Sequence, residues 1–142
     1  MLPSGRIGVM PSVLSESDTA TILIVDDDVG VTETFARMLR LEGFEVRTAM
    51  TAETGLREAS TERPDAIILD LRMPLVDGLG FLRQLRQAEG TRVTPVAIVT
   101  GDYFLEEEIS VELRALGAEL RFKPLWLEDL VGLARDLLKV TH

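Results

Sequence analysis

Four short apolar runs in this chain each end at a polar group, and that repetition is what most limits the folds open to it. Ile22-Leu23-Ile24-Val25 leads into Asp26-Asp27-Asp28, and Ala66-Ile67-Ile68-Leu69 leads into Asp70. Val96-Ala97-Ile98-Val99 leads into Thr100, and Leu120-Arg121-Phe122 leads into Lys123-Pro124. Apolar runs of this length, set between segments of helical spacing, predict parallel strands covered on both faces. Parallel strands put their carboxyl ends on one edge of one sheet, which is where ligands bind in open α/β sheets. Three carboxylates, a hydroxyl and an ammonium then converge there, a set suited to a divalent cation and a phosphoryl group.

The intervening segments fit that arrangement. Gly30 to Glu42 puts Val31, Phe35, Met38 and Leu39 on one helical face, with Gly43 as its stop. Phe44 to Thr48 alternates apolar and polar residues and predicts a half-exposed edge strand. Thr51 caps a helix that carries Ala52, Leu56 and Ala59 inward and ends before Pro64. After a Met73-Pro74…Asp77-Gly78 turn, Leu79, Leu82 and Leu85 recur at helical spacing. A strand over about Pro95 to Val99 precedes an acidic helix, Glu106 to Leu116, with Ile109, Leu113 and Leu116 inward and Gly117 as its stop. The last strand covers about Glu119 to Phe122. The last helix runs from Trp126 to about Val140, with Leu127, Leu130, Val131, Ala134 and Leu138 towards the core. Strand and helix alternate without an internal repeat, so right-handed crossovers place helices on both faces of a parallel sheet.

Bulk properties narrow the function. The 142 residues suffice for one domain with a real core. A hydrophobic content of 46% with only 5% aromatics suits an aliphatic interior. No cysteine is present, which excludes disulfide and thiol chemistry and fits a reducing cytoplasm. A net charge of −9 argues against nucleic-acid binding by this domain and favours proteins, cations or a metal-carried anion. No run approaches the roughly 20 apolar residues of a membrane span. Residues 1–20, with Arg6 as their only base, read as a flexible leader rather than a signal peptide, and residues 21–142 as the domain.

From Thr21 onward the chain resembles the receiver domains of two-component response regulators. The likeness rests on Ile22-Leu23-Ile24-Val25-Asp26-Asp27-Asp28, on Leu69-Asp70-Leu71-Arg72-Met73-Pro74 with Asp77-Gly78, on Val99-Thr100-Gly101, on Gly117-Ala118, and on Phe122-Lys123-Pro124, all in order. It implies a flavodoxin-like, doubly wound, five-stranded parallel sheet of order 2-1-3-4-5 with five helices, a topology for which this family is itself a standard example. It also implies a phosphoacceptor. Asp70 is then the nucleophile, taking a phosphoryl group from a sensor histidine kinase, a histidine phosphotransfer protein or a small donor such as acetyl phosphate. Asp27 and Asp70 fit as direct Mg²⁺ ligands and Asp26 as a ligand through water, and the resemblance adds the backbone carbonyl of Arg72. Lys123 would offset phosphoryl charge, Thr100 would donate a hydrogen bond to the same group, and the bond between Lys123 and Pro124 is expected to be cis.

Each of these residues also has a plainer reading. Asp28 reads as a helix cap, Asp70, Thr100 and Lys123 singly as solvated strand ends, and His142 as an uninvolved terminal residue. With no other histidine, the chain is not itself a histidine kinase or phosphotransfer module. The family's switch aromatic, three residues before the lysine, is replaced by Leu120. Phe122 is expected on the opposite face of that strand and in the core, which leaves Tyr103 and Phe104 as candidate levers. Trp126 reads equally as a partner anchor or as packing over Pro124 and the leader. Glu106-Glu107-Glu108 reads as a solvated helix start, or as an acidic docking face.

The leading expectation is a stand-alone receiver that catalyses only its own phosphorylation and slow dephosphorylation. Its output would pass to a partner protein through the Glu106–Leu116 helix, the last strand and the last helix, a face also compatible with homodimerisation. In a longer protein a DNA-binding or enzymatic domain would follow. The alternative is a pseudo-receiver that scaffolds partners without phosphorylation. A hydrolase of the haloacid-dehalogenase kind would need an Asp two residues after Asp70, where Arg72 stands.

Overall fold

Residues alternate between two apolar layers along every central strand, and that alternation builds the molecule. The described part of the computed structural model covers residues 19–71, 75–101 and 104–140, without the side chains of residues 70, 71, 75–77 and 140. Strands β1 (Thr21–Val25), β2 (Glu45–Ala49), β3 (Ala66–Leu71), β4 (Val96–Thr100) and β5 (Ala118–Phe122) form one parallel sheet in the order β2-β1-β3-β4-β5. Helices α1 (Val29–Leu41), α2 (Ala52–Thr61), α3 (Leu75–Gln87), α4 (Glu107–Ala115) and α5 (Leu127–Val140) connect and follow them.

Ile22, Ile24, Ala66, Ile68, Ala97 and Val99 pack on one side of the sheet against Phe35, Ala36 and Leu39 of α1 and Leu130 and Ala134 of α5. Leu23, Val25, Ile67, Leu69, Val96 and Ile98 pack on the other against Ala59 of α2, Phe81, Leu82 and Leu85 of α3 and Leu113 of α4. Both faces of the central strands are thus covered, which is why their sequences are nearly all apolar. The edge strands β2 and β5 keep exposed and half-exposed positions instead. Local chemistry sets the helix ends. Asp28 accepts a hydrogen bond from the Val31 N–H (3.1 Å) and Thr51 one from the Thr54 N–H (3.0 Å), capping α1 and α2. Gly43 (φ +99°) and Gly117 (φ +84°) stop α1 and α4 in the left-handed region that a β-carbon disfavours.

Two expectations about the core need correction. Leu127 is 42% exposed, and the inner face of α5 is made by Leu130, Val131, Leu133, Ala134 and Leu137. Its stripe therefore begins one turn later than the sequence suggests. Phe122 is 39% exposed and outside the core. Leu120 and Phe122 are two residues apart and so share a strand face under the pleat's period of two, not opposite faces. Leu120 is the one that packs against the second core layer.

Outside the core, Arg83 on α3 grips Glu112 on α4 with two hydrogen bonds of 2.7 and 2.8 Å. Those bonds, opposed by partial desolvation and aided by the positive charge, hold the Glu112 carboxyl below its usual range. A carboxyl depressed by folding contributes stability above its unfolded pKa, and that stability is lost as pH falls through the folded value. Glu112→Gln should thus lower urea stability near neutral pH and leave it unchanged in acid, below the folded-state pKa. Equal losses at both pH values would mean that the pair acts through shape rather than charge.

Candidate functional site

Strand register gathers the polar residues at the carboxyl edge. Val25 pairs with Leu69, so the chain passes to Asp26 beside Asp70. Asp70 pairs with Val99, Leu71 with Thr100, and Thr100 with Phe122, the residue before Lys123. The Lys123 N–H donates to the Thr100 carbonyl (2.9 Å), tying the start of the Lys-Pro turn to the end of β4. The peptide bond between Lys123 and Pro124 is cis. Asp26, Asp70, Thr100 and Lys123 are therefore neighbours along one edge, as parallel strands require.

The three consecutive acids have three different environments. Asp26 is fully buried; its N–H donates to the Ala49 carbonyl (3.0 Å) and its Oδ1 accepts the Asp28 N–H (3.2 Å). Asp27 is exposed. Asp28 is the α1 cap, the structural role its position suggests. Thr32, buried on α1, approaches the Asp26 carbonyl (3.3 Å) and donates to the Asp28 carbonyl (2.8 Å), fastening the acidic turn to the helix. Sequence reasoning passed over Thr32. The available signal was a polar residue on the same helical face as Phe35, Ala36 and Leu39.

Thr100 is 3% exposed at the end of β4, and Lys123 is half-buried. The side chain of Asp70 and all of Arg72, Tyr103 and His142 lie outside the described residues, as do residues 1–18 of the expected leader. Among the described residues, no group of three or more metal-ligating side chains occurs; the adjacent acids Asp26 and Asp27 are the two candidate metal ligands there. Phe104 is 93% exposed and Trp126 68% exposed. The Trp126 N–H donates to Asp129 Oδ2 (3.1 Å) at the start of α5. Glu106, Glu107 and Glu108 are exposed at the start of α4. Among the described residues, no helix is long and apolar enough to cross a membrane.

Known proteins show the same pattern. Residues 22–133 match the response regulator receiver domain family. The transcriptional regulatory protein PrrA of Mycobacterium tuberculosis is 36% identical over 118 residues, which cover 83% of this chain and 49% of that protein. The response regulator MprA of Mycobacterium avium is 36% identical over 120 residues, 84% of this chain and 51% of that protein. The chain spans about half the length of the curated relatives it matches. Among solved structures, the chemotaxis protein CheY4 of Vibrio cholerae superposes with a TM-score of 0.76 at 30% identity, covering 84% of this chain and 99% of that one. A CheY-like receiver domain from Methanospirillum hungatei gives a TM-score of 0.77 at 28% identity, covering 87% and 96%. Strand order, the residues gathered at the carboxyl edge and these likenesses agree: the chain belongs to the response regulator receiver domain family of two-component signalling.

Proposed function

We propose that this domain is a phosphoacceptor switch. An oxygen of the Asp70 carboxylate attacks the phosphorus of a phosphohistidine on a partner kinase or phosphotransfer protein. The P–N bond breaks, the imidazole leaves with its electron pair and takes up a proton, and an acyl phosphate forms on Asp70. The register that brings Asp26, Asp70, Thr100 and Lys123 to one edge is the observation that carries this reading.

The donor set suits Mg²⁺, a hard cation that takes a few carboxylates and keeps several waters. Asp26 offers a buried carboxylate and Asp27 an exposed one beside it, so a cation there could hold protein oxygens and water together. Asp70 and the Arg72 carbonyl would complete the protein ligands. When bound, the metal would neutralise charge on the phosphoryl oxygens. The Lys123 ammonium would offset a further share, and the Thr100 hydroxyl would donate to the third oxygen. The phosphoryl group adds about −1.5 to −2 charges at that point. Its readout would pass to the face formed by α4, β5 and α5, within the cytoplasm.

Leu120 supports a second reading, a pseudo-receiver that binds partners without phosphorylation, because it is partly buried where family members carry a rotating aromatic. Beryllofluoride with and without Mg²⁺, followed by amide chemical shifts, separates the two. The switch predicts metal-dependent shifts along β4 and β5 that are absent from Asp70→Asn, and a mass gain from acetyl phosphate lost in the same variant. A wild-type protein that responds to neither reagent would leave the scaffold reading standing. Sustained turnover of a phosphomonoester would instead mark a hydrolase.

A further inference from the structure

We propose that Thr32 is a positioning residue of the proposed cation site: its buried hydroxyl ties the turn Asp26-Asp27-Asp28 to α1 and so fixes where the Asp26 and Asp27 carboxylates stand. This rests on the metal reading given above and goes beyond it, because it assigns the accuracy of the site to a side chain that is not itself a ligand.

Thr32 is 2% exposed, on the α1 face that carries Phe35, Ala36 and Leu39 against the sheet. Its Oγ1 lies 2.8 Å from the Asp28 carbonyl and 3.3 Å from the Asp26 carbonyl, so one proton is shared between two acceptors. The shorter contact alone is ordinary, since a helical Thr can bond to the carbonyl four residues back. Thr34, exposed on the same helix, does so to Gly30 at 2.7 Å. Two observations separate Thr32 from it. The Asp28 carbonyl already accepts the Thr32 N–H (3.0 Å), so the helix has no need of the hydroxyl. The longer contact leaves the helix and reaches back six residues, to the carbonyl of Asp26 itself.

Asp26 is thereby held at three points. Its N–H donates to the Ala49 carbonyl (3.0 Å), its Oδ1 accepts the Asp28 N–H (3.2 Å), and its carbonyl faces Thr32. Asp27, exposed, sits between the two carbonyls that Thr32 engages, so its backbone is fixed from both sides. Mg²⁺ demands near-ideal octahedral geometry, so displacing either carboxylate costs affinity. Groups that orient metal ligands are worth about 10–100-fold in that affinity.

Mg²⁺ titrations at constant ionic strength, followed by the amide signals of Asp27 and Asp28, give the Kd. Thr32→Val keeps the shape, removes the hydroxyl and should weaken Mg²⁺ binding about tenfold. Thr32→Ser restores the hydroxyl and should bring the Kd back to within about threefold of wild type. Thr34→Val loses a back-bond within the helix and should leave the Kd unchanged. Without metal, exchange of the Asp28 N–H, which is bonded to Asp26 Oδ1, should quicken in Thr32→Val and not in Thr34→Val.

Equal losses in Thr32→Val and Thr34→Val would overturn the proposal, as would a Thr32→Ser protein no better than Thr32→Val. Saturable Mg²⁺ binding that is as tight in Thr32→Val as in wild type would remove Thr32 and leave the metal reading standing. A wild-type protein without saturable Mg²⁺ shifts would remove the metal reading, and this role with it.

Discussion

Asp26→Asn is expected to abolish Mg²⁺-linked stabilisation while leaving the fold intact. Asp26 is fully buried beside Asp27, and strand register sets Asp70 next to it. A cation bound there would offset the mutual repulsion of these neighbouring carboxylates, and the variant lacks one of the charges that would hold it. Asn keeps the oxygen that accepts the Asp28 N–H and removes the charge, so the turn should survive. In urea unfolding, wild type at free Mg²⁺ a hundredfold above its Kd should gain about 2.7 kcal/mol, and the variant should gain none. A variant that responds to Mg²⁺ as wild type does would remove Asp26 from the proposed metal site.

How much of this was legible in the sequence depended on whether a feature is local. Ile22 to Val25 could be assigned because a strand covered on both faces has almost no other composition, and all four residues are fully buried. Thr51 and Gly43 punctuate helices through bonds and dihedrals that reach only a few residues, and both act as expected. The placement of Asp26, Thr100 and Lys123 at one sheet edge was legible for a topological reason, since the ends of parallel strands meet there. The division of labour among Asp26, Asp27 and Asp28 was not. Three identical side chains differ only in what the fold places around them.

Other departures have the same origin. Leu127 has the right spacing for the α5 stripe, yet it is 42% exposed where Leu130 and Ala134 are buried. Phe122 is apolar and ends an edge strand, where only one neighbour exists to bury it. Periodicity says which residues share a face and is silent on whether that face is covered. Arg86 shows the converse: in the sequence it is an ordinary basic residue in the last turn of α3, well placed for the helix dipole. Its partners are up to thirty positions away.

Those partners make Arg86 the side chain outside the core whose loss should cost most. Its Nε donates to the Leu116 carbonyl (2.7 Å), and its Nη1 donates to the carbonyls of Thr94 (2.7 Å) and Thr91 (3.2 Å). One guanidinium thereby joins the end of α4 to the segment that leads into β4, and satisfies acceptors at a helix terminus where the backbone has no partners of its own. Burial pushes its pKa down, but an arginine remains charged throughout the useful pH range. Arg86→Met keeps the aliphatic stem and removes the donors, and should lower stability by about 2–4 kcal/mol. Arg86→Lys should recover little of that, because a point charge cannot reach three carbonyls from one position as a planar fork does. Urea unfolding gives the magnitude and amide exchange gives the place: protection should fall first at Gly117 and Ala118, beside the released Leu116 carbonyl. A methionine variant within about 0.5 kcal/mol of wild type would show that water replaces the guanidinium at little cost. The tie between α4 and the segment leading into β4 would then rest on apolar packing, with Leu113 fully buried and Ile109 and Leu116 packed against the same layer.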